Sequence, residues 1–117
     1  MVPHQLEQIL LILLDNAMKY SNERYIIKVE GTTREKFVEL KVIDFGIGIP
    51  EKDLPYVFDR FYRVDKARSR LQGGTGLGLA IAKRLAECNL GQISITSKEN
   101  EGTTVTVRFP LAEKRVP

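Results

Sequence analysis

The apolar residues of this chain change period along its length, and that change restricts the fold more than any other feature. Leu6, Ile9, Leu10, Leu13, Leu14 and Ala17 recur at three- and four-residue spacing, which predicts a helix over residues 5–20, ended by Ser21-Asn22. Residues 25–30 and 36–43 alternate instead, as strands do, and Gly31-Thr32-Thr33 reads as the turn of a hairpin between them. Residues 46–50 read as a loop and 51–58 as a short helix interrupted by Pro55. Helical spacing returns over residues 77–88, with Gly91 placed as the C-terminal cap. A second hairpin, 92–97 and 103–109, turns across Glu99-Asn100-Glu101-Gly102 and stops at Pro110. Residues 60–74 have no clear period and read as a long, mobile, basic segment. No strictly alternating strand–helix–strand unit appears, so a doubly wound sheet is disfavoured. The expected class is α+β: a two-layer sandwich whose mixed, mainly antiparallel sheet carries helices on one face. At 117 residues the chain suits one domain of the usual roughly 100–200 residues.

Several classes are excluded at once. With one cysteine, Cys88, and one histidine, His4, neither a disulfide framework nor a multi-cysteine zinc site can be built. The longest apolar run, residues 9–14, falls far short of the ~18 residues of a membrane span. No basic stretch precedes an apolar one as in a signal peptide, so a soluble chain in a reducing compartment is expected. The net charge of +3 raises nucleic-acid binding, but its distribution argues against that. Arg60, Arg63, Lys66, Arg68 and Arg70 stand against the single acid Asp65, a local +4 that leaves about −1 elsewhere. A basic excess confined to one loop suits a small polyanion such as a nucleotide triphosphate better than a duplex; a merely solvated loop is the plain alternative.

Three glycine clusters stand out: Asp44-Phe45-Gly46-Ile47-Gly48, Gly73-Gly74-Thr75-Gly76-Leu77-Gly78 and Gly102-Thr103. The Rossmann pattern G-x-G-x-x-G fails in every register, and the P-loop fails because Leu79 follows Gly78. Asp44-Phe45-Gly46 spells the DFG of eukaryotic-type protein kinases, yet no H-R-D loop lies upstream and the chain is too short for that fold. What remains has its own logic. Gly74, Gly76 and Gly78 run into the second helix, where alternate glycines admit a ligand to the backbone and free N–H groups attract phosphate. Asp44 ends an apolar strand, so its carboxylate belongs at a pocket floor, ready to accept from an amine; a turn-forming Asp before Gly is the other reading. Ile12, Asn16, Lys19 and Tyr20 share one stripe of the first helix. Asn16 is an amide in an otherwise apolar helix, and such a group needs a partner if buried, either water or, through its carbonyl oxygen, Mg²⁺.

Asn16-Ala17-Met18-Lys19-Tyr20, Asp44-x-Gly46-x-Gly48, Phe58-Asp59-Arg60-Phe61-Tyr62-Arg63 and Gly74-x-Gly76-Leu77-Gly78-Leu79 together resemble the N, G1, F and G2 boxes of the catalytic, ATP-binding domain of bacterial sensor histidine kinases. The resemblance covers nearly the whole chain in the right order; any one box is weak, and four together are specific. It implies the ATP-binding sandwich shared with gyrase, heat-shock chaperone and mismatch-repair ATPases. By that resemblance Asn16 would ligate Mg²⁺, Lys19 would contact the triphosphate, and Tyr20 would line the nucleotide site. Asp44 would bind the adenine amino group, while Gly46 and Gly48 let the backbone pass the base. Arg63 would reach the γ-phosphate from a lid closed by Gly74, Gly76 and Gly78. Ile49, Phe58, Tyr62, Thr75, Leu77, Leu79 and Thr103 would complete the site, with Asn16, Lys19 and Arg63 as its catalytic members.

The implied activity is transfer of the γ-phosphate of Mg-ATP to a histidine on a separate helical-hairpin dimerisation domain of the parent kinase, and so indirectly to a response regulator. Residues 1–117 would be the catalytic domain alone: monomeric, cytoplasmic, touching neither membrane nor nucleic acid, and lacking its phosphoacceptor domain. His4 is followed by Gln5 rather than an acid, so it reads as an exposed terminal side chain. One departure stands out. The family pattern N-L-L-x-N carries a second asparagine where this chain has Ile12, and hydrolysing relatives carry a glutamate base there. Isoleucine does neither job, so weak intrinsic hydrolysis is expected. Two other readings remain at this level: an ATP-gated interaction module with little transfer, and duplex binding through residues 60–70.

Overall fold

The computed structural model describes residues 3–20, 26–60 and 77–110. Helix α1 (Pro3–Tyr20) is followed by strands β1 (Ile27–Thr33) and β2 (Phe37–Asp44), a 3-10 helix (Glu51–Tyr56), helix α2 (Gly78–Cys88), and strands β3 (Gln92–Lys98) and β4 (Gly102–Pro110). The four strands form one sheet in the order β1-β2-β4-β3, with all three pairings antiparallel. The α+β sandwich expected from the change of period is the observed fold.

Alternation decides which face is covered. Val42, Val105, Val107 and Phe109 project to one side and meet Ile9, Leu13 and Ala17 of α1 and Ala82 and Ala86 of α2. Ala82 and Ala86 are fully buried; side chains this small let α2 lie close to both α1 and the sheet. The other side carries Glu39, Lys41, Thr104, Thr106 and Arg108, an arrangement open to antiparallel sheets but not to parallel ones. On that open side Glu39 sits opposite Arg108 and accepts from its Nε at 2.7 Å, with Lys41 Nζ at 3.6 Å. The Arg108 hydrogen bond holds the Glu39 carboxyl below its ordinary range against the opposing effect of desolvation. Edge strand β1 is exposed along most of its length and shows Lys28 and Glu30 to solvent, which discourages pairing with another chain.

Three local expectations need correction. Gly31-Thr32-Thr33 is not the first turn: these residues pair with Leu40, Glu39 and Val38, and the chain reverses over residues 34–36, closed by Arg34 N donating to Phe37 O at 2.7 Å. Threonine suits a strand, and the charged Arg34-Glu35-Lys36 is better solvated at the tip. The segment after Pro50 is a 3-10 helix that ends at Tyr56, since Pro55 withholds an N–H that a longer α-helix would use. At the end of α2 the left-handed residue is Leu90 (φ 63°), not Gly91; Gly91 N donates to Ala86 O at 2.7 Å. Gly91 is needed for space, because a Cβ there would strike the Phe109 ring and the Arg108 carbonyl.

Candidate functional site

Where β2 ends, a one-sided sheet meets a glycine-rich loop. Asp44 is the last residue of β2, 6% exposed, and points to the helix-covered side in line with Val42. A buried carboxylate must be satisfied. Gly46 N donates to Asp44 Oδ1 at 2.9 Å, and the backbone N–H of Thr103 also donates to the carboxylate. Desolvation nevertheless dominates and raises the Asp44 pKa above the ordinary aspartate value, with the two N–H groups opposing it.

The loop beyond Asp44 is clamped to the β3–β4 turn. Gly48 adopts φ +71°, and a Cβ there would run into the Lys98 carbonyl. Gly102 adopts φ +127°, and its Cβ would meet the Asp44 carbonyl. These positions demand glycine on both conformation and space. Asn100 N donates to Ile47 O and Ile49 N to Ser97 Oγ, each at 2.7 Å. Ser97 Oγ in turn contacts Gly102 O and Thr103 Oγ1, both at 2.8 Å. Asp44, Gly46, Gly48, Ile49 and Thr103 are thus brought together at one end of the sheet, and all of them are buried.

A second group lies on the helices. Asn16 is half-buried on α1, one turn beyond Ile12. Lys19, half-buried, holds the exposed Asp15 at 3.0 Å in an i,i+4 pair, a class of interaction weak enough to yield to a phosphate. Gly78 opens α2 where a Cβ would lie 3.3 Å from Ile12 Cγ2, so the start of α2 abuts the turn of α1 that leads to Asn16. Leu77, Leu79 and Phe58 are half-buried, and Lys83 Nζ stands 5.8 Å from the Phe58 ring centre. Tyr20 closes α1. Tyr62, Arg63, Gly74, Thr75 and Gly76 lie outside the described residues. So does most of the expected mobile segment.

Reading the sequence singled out Gly102-Thr103 but not Ser97, which ties the loop to the sheet. A serine in an alternating strand looks like any solvent-facing residue; only the register opposite Thr103 reveals it. A hollow of about 330 Å³ at this end of the sheet is lined by residues 43–45, 96–98 and 101–104, with Asp44, Ser97 and Thr103 among them.

Over residues 1–113 the chain that builds this helix-backed sheet, buried aspartate and glycine loop matches the model of an ATPase family described as histidine kinase-, DNA gyrase B- and HSP90-like; the chain belongs to that family. Histidine kinases are among the proteins it resembles. Signal transduction histidine-protein kinase ArlS of Staphylococcus aureus (strain USA300) is 51% identical over 109 residues, covering 93% of this chain and 24% of that protein. The mycobacterial sensor histidine kinase MprB superposes with a TM-score of 0.80 at 32% identity, over 92% of this chain and 72% of the other. Full-length ShkA in complex with AMPPNP superposes at 0.78 with 28% identity, over 92% of this chain and 22% of the other. The chain therefore spans about a quarter of the length of the curated relatives it matches. No described helix is long and apolar enough to cross a membrane.

Proposed function

We propose that this chain binds Mg-ATP and donates the γ-phosphate to a histidine on a separate helical-hairpin domain of a sensor kinase, feeding a response regulator indirectly. The observation that carries this reading is the buried Asp44 carboxylate, kept in place by Gly46 and Thr103 N–H groups at the mouth of a glycine loop. Burying a charge is costly unless something uses it, and an amine-bearing base is the partner this acceptor fits. Gly46 and Gly48 bring the backbone near that base, and Ile49 supplies an apolar wall. Lys19, paired with Asp15, would exchange that partner for the triphosphate. Arg63, Tyr62 and the glycines Gly74 and Gly76 are assigned to the phosphate side on sequence resemblance alone.

Among the described residues no cluster of three acidic, histidine or cysteine side chains could hold a metal ion. The Asn16 amide oxygen is a hard, neutral donor, which fits a Mg²⁺ that arrives with the triphosphate and keeps several waters. When bound there, the ion would neutralise phosphate charge. Phosphoryl transfer requires mainly positioning and charge neutralisation, so Asn16, Lys19 and Arg63 would form the catalytic set while the nucleophile comes from the partner. One turn before Asn16, where a polar side chain could steer water, Ile12 packs against the core and Gly78. We place the domain, as a monomer, on the cytoplasmic side of its parent kinase. The test is incubation with labelled ATP and a cognate histidine-bearing hairpin. Label appearing on the hairpin histidine supports the reading; nucleotide binding without any transfer supports a gated interaction module instead.

A further inference from the structure

Three polar side chains stand in a row across the end of the sheet, on the face covered by the helices. Asp44 on β2 is the register partner of Thr103 on β4, and Thr103 is the register partner of Ser97 on β3. Thr103 therefore sits between the carboxylate and the serine. Its hydroxyl can donate only one proton, and the neighbours decide where that proton goes.

Ser97 Oγ has one proton and two lone pairs. It makes three contacts: Ile49 N at 2.7 Å, Gly102 O at 2.8 Å and Thr103 Oγ1 at 2.8 Å. An amide N–H can only donate and a carbonyl can only accept. The Ile49 contact thus uses one lone pair, and the Gly102 contact uses the single proton. One lone pair is left for Thr103, so Thr103 must be the donor. With its proton turned toward Ser97, Thr103 Oγ1 offers only lone pairs toward Asp44, which is itself an acceptor when ionised.

Resting on the ATP-binding reading above, we infer that Ser97 is a positioning residue that sets purine specificity: by fixing the Thr103 hydroxyl as an acceptor, it makes the base site acceptor-only, selective for a 6-amino purine over a 6-oxo purine. The adenine amino group carries two N–H donors and satisfies both Asp44 and Thr103. A 6-oxo group would direct lone pairs at two acceptors, and a site left with unmatched buried polar groups rejects its ligand strongly. Removing the serine hydroxyl frees the Thr103 proton to rotate and donate to a 6-oxo group.

The experiment is calorimetric titration of the 117-residue chain with ATP and with inosine triphosphate, both with Mg²⁺. The wild type is expected to favour ATP. Ser97→Ala should reduce the ATP-to-ITP affinity ratio by about tenfold, the scale of one hydrogen bond, whereas Ser97→Thr, which keeps the hydroxyl, should hold it. Equal weakening toward both nucleotides in a folded Ser97→Ala variant would show that the hydroxyl merely braces the loop, and would overturn the inference. Should Ser97→Ala fail to fold, Thr103→Val removes the same acceptor, and an unchanged ratio there overturns it too. A wild type that binds both nucleotides equally well overturns the specificity role but leaves the ATP-binding reading standing. Binding of neither would remove the ATP reading itself.

Discussion

At Asp44, function and stability are opposed. Its carboxylate is desolvated by burial, and the Gly46 and Thr103 N–H groups only partly offset that cost. Asp44→Asn should weaken ATP binding by about 1.5–3 kcal/mol, the scale of a hydrogen bond to a charged group, as read by calorimetric titration. The pH dependence has a definite sign. A carboxyl whose folded pKa is raised contributes stability below its unfolded pKa and loses it as pH rises through the folded value. The stability of the nucleotide-free wild type, measured relative to Asp44→Asn by denaturant titration, should therefore fall as pH rises out of the ordinary aspartate range. A flat difference across that range would place Asp44 in water rather than in a pocket. Gly48 tests the loop. Gly48→Ala forces a side chain into left-handed backbone and against the Lys98 carbonyl. It should cost more than the roughly 1–2 kcal/mol of the conformation alone, seen as a lower denaturation midpoint.

Elements hold together through two dissimilar faces. On the covered face Leu13, 2% exposed, joins α1 to the sheet core. Leu13→Ala should cost about 2–5 kcal/mol through lost burial and a residual cavity, measured by chemical denaturation; a loss under 1 kcal/mol would mean α1 is not packed as described. On the open face the Glu39–Arg108 pair links β2 to β4. Its hydrogen bond lowers the Glu39 pKa, so the sign reverses that of Asp44: the contribution is present above the ordinary glutamate range and lost as pH falls through the folded value. Glu39→Gln should accordingly destabilise the protein near neutrality, with the gap to wild type closing in acid. The elements also show how far periodicity reaches. The run from Leu6 to Ala17 predicted α1 because burial of a helical stripe repeats every three to four residues. The first hairpin turn was misplaced because Gly31 and the threonines are compatible with turn or strand, and only pairing with residues 38–40 chose strand. For α2, the left-handed position after the cap fell to Leu90, while Gly91 stands where a Cβ would strike the Phe109 ring.

For the whole molecule, the question is what becomes of bound ATP. Water must be oriented to attack a phosphate, and the turn before Asn16 presents Ile12, packed on the core beside Gly78. The isolated chain should therefore turn ATP over well below the order of 1 s⁻¹, a rate within the ordinary enzyme range, and should not label itself at His4. Free phosphate and protein-bound label, measured separately after incubation with labelled ATP, check both. Turnover near that rate would move the chain toward its hydrolysing relatives, and stable label on His4 would show that the acceptor need not come from elsewhere.

By itself the sequence determined the class of fold, the presence of Asp44 at a strand end and the glycines that follow it. All three are local: period, strand termination and turn chemistry are written in neighbouring residues. The tertiary structure decided what no local pattern encodes. It set the strand order that puts β4 between β2 and β3, and so Thr103 between Asp44 and Ser97. It showed that Gly48 and Gly102 are needed against carbonyls far away in sequence or across the sheet end, those of Lys98 and Asp44. It also joined residues 47–49 to 97–100. The physical reason is that a hydroxyl's proton direction and a glycine's lack of room depend on atoms brought close only by long-range pairing, and register is fixed by burial of the whole face rather than by any one segment.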